Sequence, residues 1–453
     1  MWGTGKYCHG ITQQKFCSEH KIIPDKLRIF LSDNLNLLHK MNYEDFTNQP
    51  EFQQLTKESE KLKSKIFSDV IDENGLQYVD LVQEGGGVLG IALVGYTYIL
   101  ETAGIRFFHL AGTSAGAINT LVLAGIDSIE KEKSKQVLDV LAKQDLFEFV
   151  DGDPALKAIM QKIIDGTPIK KMLAKLLWNI RKIKKALFVN LGLNPGRAFE
   201  QWIETVLKES TNKITTIGEL LEKRSKEYFP KGLKHRLTGE PITDDSAQMH
   251  IITADVTTQT KVLFPQMAHL YWGEHVNEIS PAKLVRASMS VPFFFVPFSI
   301  DNIPAAGEPA SGEWIKLANF YGPIPQKVKF VDGGMISNFP INVFHAKFKR
   351  VPRKPTFGVK LSSYREEFAD VDDLGTFVGS MVSTMRHDAD NEFLLQNPDF
   401  RKLICFIDAD KDFNWLNFKM SDEKKKKLFL LGARKGLEFI KSFDWEAYKK
   451  IRE

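Results

Sequence analysis

From Leu76 onward, short apolar runs alternate with glycine turns and with longer apolar stretches of helical spacing. Residues 78–82 read as a strand, Gly85 to Gly87 as a turn, and residues 88–100 as an apolar helix. The pattern then repeats, with a strand over 105–110, a tight turn at Ser114 and a helix over 115–124. Further strands are predicted at 250–257, 328–331, 356–361 and 403–407, and a helix at 281–288. Repeated strand–turn–helix units predict an α/β fold: a three-layer α/β/α arrangement around a mainly parallel central sheet.

Other segments carry a different texture. Residues 1–74 read as a helical N-terminal extension, with Pro24-Asp25 opening one candidate helix through Leu27, Ile29, Phe30, Leu35 and Leu38. Residues 75–365 form the main domain, interrupted by a lysine-rich helical insertion at about 130–245. Residues 366–453 are expected to complete the α/β domain with a strand and helices, the last helix carrying Leu428, Leu431, Leu437 and Ile440. A loop over 297–328, rich in proline and glycine, is a candidate active-site flap.

Composition narrows the class. The 453 residues are 43% hydrophobic and 26% charged, with no apolar run long enough to span a bilayer. A net charge of +4 without interleaved basic and aromatic residues argues against a nucleic-acid partner. Three cysteines predict free thiols in a reducing, cytoplasmic setting. Cys8, His9, Cys17 and His20 match no familiar zinc spacing, so neither metal nor cofactor is expected. Residues 170–188 contain no acid and form an amphipathic helix on a wheel, with Met172, Leu173, Leu176, Leu177, Ile180, Ile183 and Leu187 on one arc. Lys171, Lys175, Trp178, Lys182 and Lys185 are the candidates there for peripheral membrane contact.

Three segments carry chemistry. Glu84-Gly85-Gly86-Gly87-Val88-Leu89-Gly90 joins a strand to a helix, so successive amides of Gly85, Gly86 and Gly87 can converge on a negative charge. Gly112-Thr113-Ser114-Ala115-Gly116 puts a serine at a strand-to-helix elbow, with Gly112 and Gly116 allowing a tight turn. Asp332-Gly333-Gly334 places a carboxylate at a strand end before a flexible loop. A serine hydroxyl needs a base, and Asp332 can serve without an imidazole if the glycine loop stabilises the oxyanion. A Ser-Asp-His triad of the α/β-hydrolase kind remains open through His345 or His387, which follow Asp332 in the required order.

These segments, in this order, resemble the patatin-like phospholipase family, bacterial-type acyl hydrolases included. The resemblance covers about residues 76–365 and extends to Arg286-Ala287-Ser288 before Pro292, and to Asn338 and Pro340 after the aspartate. It implies a patatin-like catalytic domain with Ser114 as nucleophile, Asp332 as base and the Gly85 to Gly87 amides as oxyanion hole. The implied activity is metal-free hydrolysis of fatty acyl esters in phospholipids or lysophospholipids, of phospholipase A or lysophospholipase type. One departure stands out: the family's basic residue before the last glycine is Leu89 here. It keeps open a latent or weakly catalytic lipid-binding regulator on the same fold.

Overall fold

The computed structural model describes residues 41–164, 167, 172–344, 351–362 and 392–453, with 368, 371–372, 377, 380–381 and 384 between the last two spans. The expected helix from Pro24, the cysteines at 8 and 17, Lys171, His345 and His387 lie outside the described residues.

Along the chain the strands are β1 (Val70–Ile71), β2 (Gln77–Gln83), β3 (Ile105–Thr113), β4 (Gly192–Asn194), β5 (Lys234–His235) and β6 (Met249–Asp255). They continue with β7 (Thr260–Phe264), β8 (Phe293–Phe295), β9 (Phe298–Asp301), β10 (Lys327–Asp332), β11 (Thr356–Lys360) and β12 (Ile404–Phe406). The main sheet runs β12-β11-β2-β3-β6-β10-β9, with β7 paired to β6 and the short β1 and β5 beside β2. The strands from β12 to β6 are mutually parallel, whereas β7, β9 and β10 are added antiparallel beyond them. Every residue of β2 and β3 is buried. A strand covered on both faces needs a near-continuous apolar sequence, which is why these two read so clearly.

Helices α1 (Pro50–Glu60), α2 (Gly90–Thr102), α3 (Ala115–Gly125), α4 (Arg197–Glu209), α5 (Ala282–Ser288) and α6 (Asp422–Ser442) set the layers that matter for the site. Helix α2 is buried along almost its whole length, so it needs cover on its outer side as well as from the sheet. Helix α6 supplies that cover. Gly95 faces the Phe429 carbonyl and Gly432 faces the Ala92 carbonyl, positions with no room for a side chain. Phe52 of α1 adds ring contacts to Tyr98 and Phe429, with centroids 5.1 and 4.9 Å apart.

Two local expectations change. The stretch 130–245 is not purely helical: its β5 pairs with β1 and its β4 pairs in parallel with β8, so backbone hydrogen bonding sews it to the main domain. The glycine- and proline-rich stretch 297–328 is not a flap over a cleft. Its β9 extends the sheet edge on β10, and Trp314 is buried against Tyr271 with ring centroids 5.3 Å apart. Among the described residues, no helix is long and apolar enough to cross a membrane.

Candidate active site

Ser114 sits between β3 and α3 with φ 51° and ψ −117°, a conformation that costs a side-chain-bearing residue of order 1–3 kcal/mol. The surrounding structure holds it there. The Ser114 N–H donates to Ser288 Oγ at 2.9 Å, and the Ser288 hydroxyl donates to the Ile252 carbonyl at 2.5 Å. Gly112 packs its backbone on that of Gly116, which in turn lies under the Gln83 carbonyl. These close approaches keep β3, α3 and the end of β2 within one turn of each other.

The glycine loop leaves the end of β2 and faces the elbow. A side chain at Gly85 would meet Asn338 Oδ1 at 2.5 Å and Ser114 Cβ at 3.0 Å, so only glycine lets the loop lie against the serine. The Gly85 N–H donates to the Asn338 carbonyl at 3.0 Å, and Asn338 Nδ2 donates back to the Gly85 carbonyl at 3.1 Å. This corrects the donor set expected from the sequence, because the Gly85 amide is already committed to Asn338. The amides of Gly86 and Gly87 donate to no described residue. Gly87 takes φ 54°, and the next amide, that of Val88, donates to the Trp415 carbonyl at 3.1 Å.

Behind the loop, Glu84 is buried and accepts from the backbone N–H of Leu361 at 2.6 Å and of Ser362 at 2.9 Å. Lys360 Nζ lies 3.7 Å from Glu84 Oε1, and both side chains are nearly inaccessible. Asp410 is pushed up to about 6 by burial and by the neighbouring Glu84 charge. Leu89 is buried in the core.

Asp332 ends β10. It pairs with Thr253 of β6, and the neighbouring Ile252 pairs with Thr113 of β3, so Asp332 and the elbow stand at the same level of the sheet, one strand apart. The chain then turns toward the elbow. A side chain at Gly333 would strike the Ile252 carbonyl and come within 3.0 Å of the Thr113 methyl. The Asp332 carboxylate, 5% exposed, accepts from the Gly334 N–H at 2.7 Å, which fixes one oxygen. Thr113 Oγ1 donates to the Ser337 carbonyl at 2.8 Å, closing the loop onto β3. Ser114, the glycine loop and the Asp332 loop are thus drawn to one place by residues 337–338.

Ser114 opens into an apolar cavity. Val88, Ile91, Ile118 and Val122 line it from α2, α3 and the turn before α2. Leu146, Phe149, Phe199 and Trp202 close its outer side, and Phe295, Trp415, Leu416 and Phe418 complete it. Among the described residues, no histidine and no residue of 297–328 lines the cavity; His345 and His387 are not among them. The family resemblance includes Ser288 and Asn338 but assigns them no contact, since their partners lie 174 and 253 residues away, and the sequence gives no sign of the Trp415 segment. The motif Arg286-Ala287-Ser288 was the available signal for the first.

The amphipathic segment departs from a single helix. It breaks into Leu173–Trp178 and Ile180–Lys184, followed by a wider turn at Lys185–Val189. Asn179 is buried at the break, with Nδ2 donating to the Lys175 carbonyl at 2.9 Å. The expected apolar arc therefore divides: Met172, Leu176 and Ile183 pack on Leu156 and Ile159, whereas Leu177, Trp178 and Ile180 face solvent. Lys182 pairs with Asp153 at 2.9 Å, and Lys185 is exposed.

Among the described residues, no group of His, Cys, Asp and Glu could hold a metal. The buried Cys405 thiol is pushed up by desolvation.

A mainly parallel α/β sheet with a strained serine between strand and helix, a glycine loop against it and an aspartate loop beside it defines the class. The model of patatin-like phospholipases matches residues 81–345, and the chain belongs to that family, which implies lipid hydrolase activity in the broad sense. The uncharacterized protein YqhO of Bacillus subtilis is 28% identical over 370 residues, spanning 81% of this chain and all of that protein. The crystal structure of VipD from Legionella pneumophila aligns with a TM-score of 0.39 at 13% identity, over 84% of this chain and 73% of that one.

Proposed function

We propose that this protein is a serine acyl hydrolase that cleaves fatty acyl esters of phospholipids or lysophospholipids through an acyl-Ser114 intermediate. The observation that carries the reading is the convergence of Gly85, Ser114 and Gly333 around Thr113 and Asn338, with an apolar cavity opening at the serine. In this reading Asp332 takes the Ser114 Oγ proton as the oxygen attacks the ester carbonyl. The negative charge formed on the carbonyl oxygen is received by the amides of Gly86 and Gly87 at the start of the turn into α2. Collapse breaks the ester bond, and Asp332 returns the proton to the departing alcohol. Water then attacks the acyl-serine by the same route and releases the fatty acid. The cavity residues hold the acyl chain, whose burial supplies binding energy of about 0.8 kcal/mol per methylene.

An aspartate is a weak base at neutral pH, so positioning must supply much of the rate. The Gly334 amide donates to Asp332 Oδ1 at 2.7 Å and holds the carboxylate in place at the end of β10. Fatty acid release from phospholipid and lysophospholipid micelles tests the reading. Ser114→Ala and Asp332→Asn are each expected to lower release at least about 10³-fold, with His345→Ala/His387→Ala retaining it. A loss in the histidine pair equal to that in Ser114→Ala would replace the dyad with a triad.

A further inference from the structure

We infer that the exposed face of residues 172–191, together with Phe293, docks on an anionic lipid bilayer and delivers acyl chains to the cavity at Ser114. The inference rests on the acyl-hydrolase reading for the purpose of the surface, though not for its existence. Trp178 is 89% exposed, Phe188 79%, Val189 72% and Leu177 61%, all within one short stretch of chain. Large apolar side chains gathered on a surface in this way mark an interaction site.

Charge identifies the partner. Between Thr167 and Phe199 the chain contains no acidic residue. Arg181, Lys182, Lys184 and Lys185 are exposed among the apolar residues, and among the described residues only Lys182 has a carboxylate partner, Asp153. A second copy of the chain would have to set this cationic face against another like it, which repulsion disfavours. Anionic lipid headgroups over an acyl interior satisfy both components at once.

Continuity with the site comes from β4 and β8. Leu191, 39% exposed, leads into β4, where Gly192 pairs with Phe293 and Asn194 with Phe295. Asn194 Nδ2 also donates to the Phe294 carbonyl at 2.8 Å, locking the two strands together. Phe293 takes φ 66° within the turn closed by the Phe295 N–H donating to the Val291 carbonyl at 2.9 Å, two residues before Phe295. Phe293 is 53% exposed, while Phe295 lines the cavity with Ser114. The β4–β8 pair therefore joins the end of the exposed segment to the wall of the cavity.

The test is co-sedimentation of the full chain with vesicles of phosphatidylcholine, with and without phosphatidylglycerol, beside hydrolysis of a water-soluble short-chain ester. Wild type and Ser114→Ala should both bind the phosphatidylglycerol vesicles and bind pure phosphatidylcholine more weakly. Lys184→Gln/Lys185→Gln should weaken binding about 25-fold, at roughly fivefold per charge. Trp178→Ser/Phe188→Ser should weaken it at least about tenfold. Soluble-ester hydrolysis and the melting temperature should stay at wild-type values in both double variants. If no ester is cleaved and these variants still lose vesicle binding, the hydrolase reading fails and the docking surface stands. Unchanged binding in the variants, no binding by wild type, or a lipid-free dimer dissociated by Trp178→Ser would overturn the inference.

Discussion

At the scale of single residues, the site stores strain and pays for it through hydrogen bonds. Ser114 adopts φ 51° while its N–H is held by Ser288. Glycine reaches that conformation freely, so Ser114→Gly is expected to gain about 1 kcal/mol of stability in urea unfolding while losing activity. Ser288→Ala acts in the opposite direction. It strips the acceptor from the Ser114 amide and the donor from the Ile252 carbonyl, both buried, at a cost of about 1–3 kcal/mol. Its kcat should fall about 10- to 100-fold with little change in KM, because the elbow is misplaced and the cavity is not. The Ser114 and Asp332 segments are legible in the sequence because glycines flank a polar residue at the end of an apolar run. Ser288 and Asn338 are not legible in the same way, since nothing local to either names the backbone group it binds.

At the scale of elements, the glycine loop is held from both sides. Asn338 clamps Gly85 in front, and Glu84 anchors the loop behind through Leu361 and Ser362. The segment after β12 closes over it, with Trp415 accepting from Val88 and lining the cavity. Asp410 lies at the root of this segment, facing Glu84, Lys360 and Asp408. Burial raises its folded-state value to about 6 from an ordinary 3.8, so the folded protein favours the protonated form. That contribution is complete below the ordinary value and is lost as pH rises through about 6. Because Asp410 is only half-buried, solvent screening reduces the effect to about 1 kcal/mol. Unfolding midpoints in urea at about pH 5 and about pH 7 should therefore differ less in Asp410→Asn than in wild type. An equal difference in both would remove Asp410 as the titrating group. The amphipathic stretch from 172 shows the limit of a helical wheel: its apolar residues were visible, but buried Asn179 breaks the helix and sends Trp178 and Leu177 outward.

At the scale of the whole molecule, the parallel centre of the sheet is the part most plainly written in the sequence. Strands β2 and β3 are buried on both faces, so their apolar runs admit little else. The antiparallel additions are harder to read. Strand β7 alternates buried and half-buried residues over five positions, and β9 is shorter still, so each depends on a neighbour that the sequence does not announce. The same holds for β4 and β8, whose pairing across the lysine-rich insertion ties the exposed patch to the cavity. The proposed hydrolase reading draws on this architecture: Ser114 lies at the sheet's end, and its apolar cavity is bounded by α2, α3, the insertion and the Trp415 segment. The most direct test of that account is mass spectrometry of the wild-type protein, Ser114→Ala and Asp332→Asn after treatment with an activated fluorophosphonate. The account predicts a single adduct on the Ser114 peptide in wild type, none in Ser114→Ala and much slower labelling in Asp332→Asn. Labelling of a different residue, or equal labelling in Ser114→Ala, would contradict it.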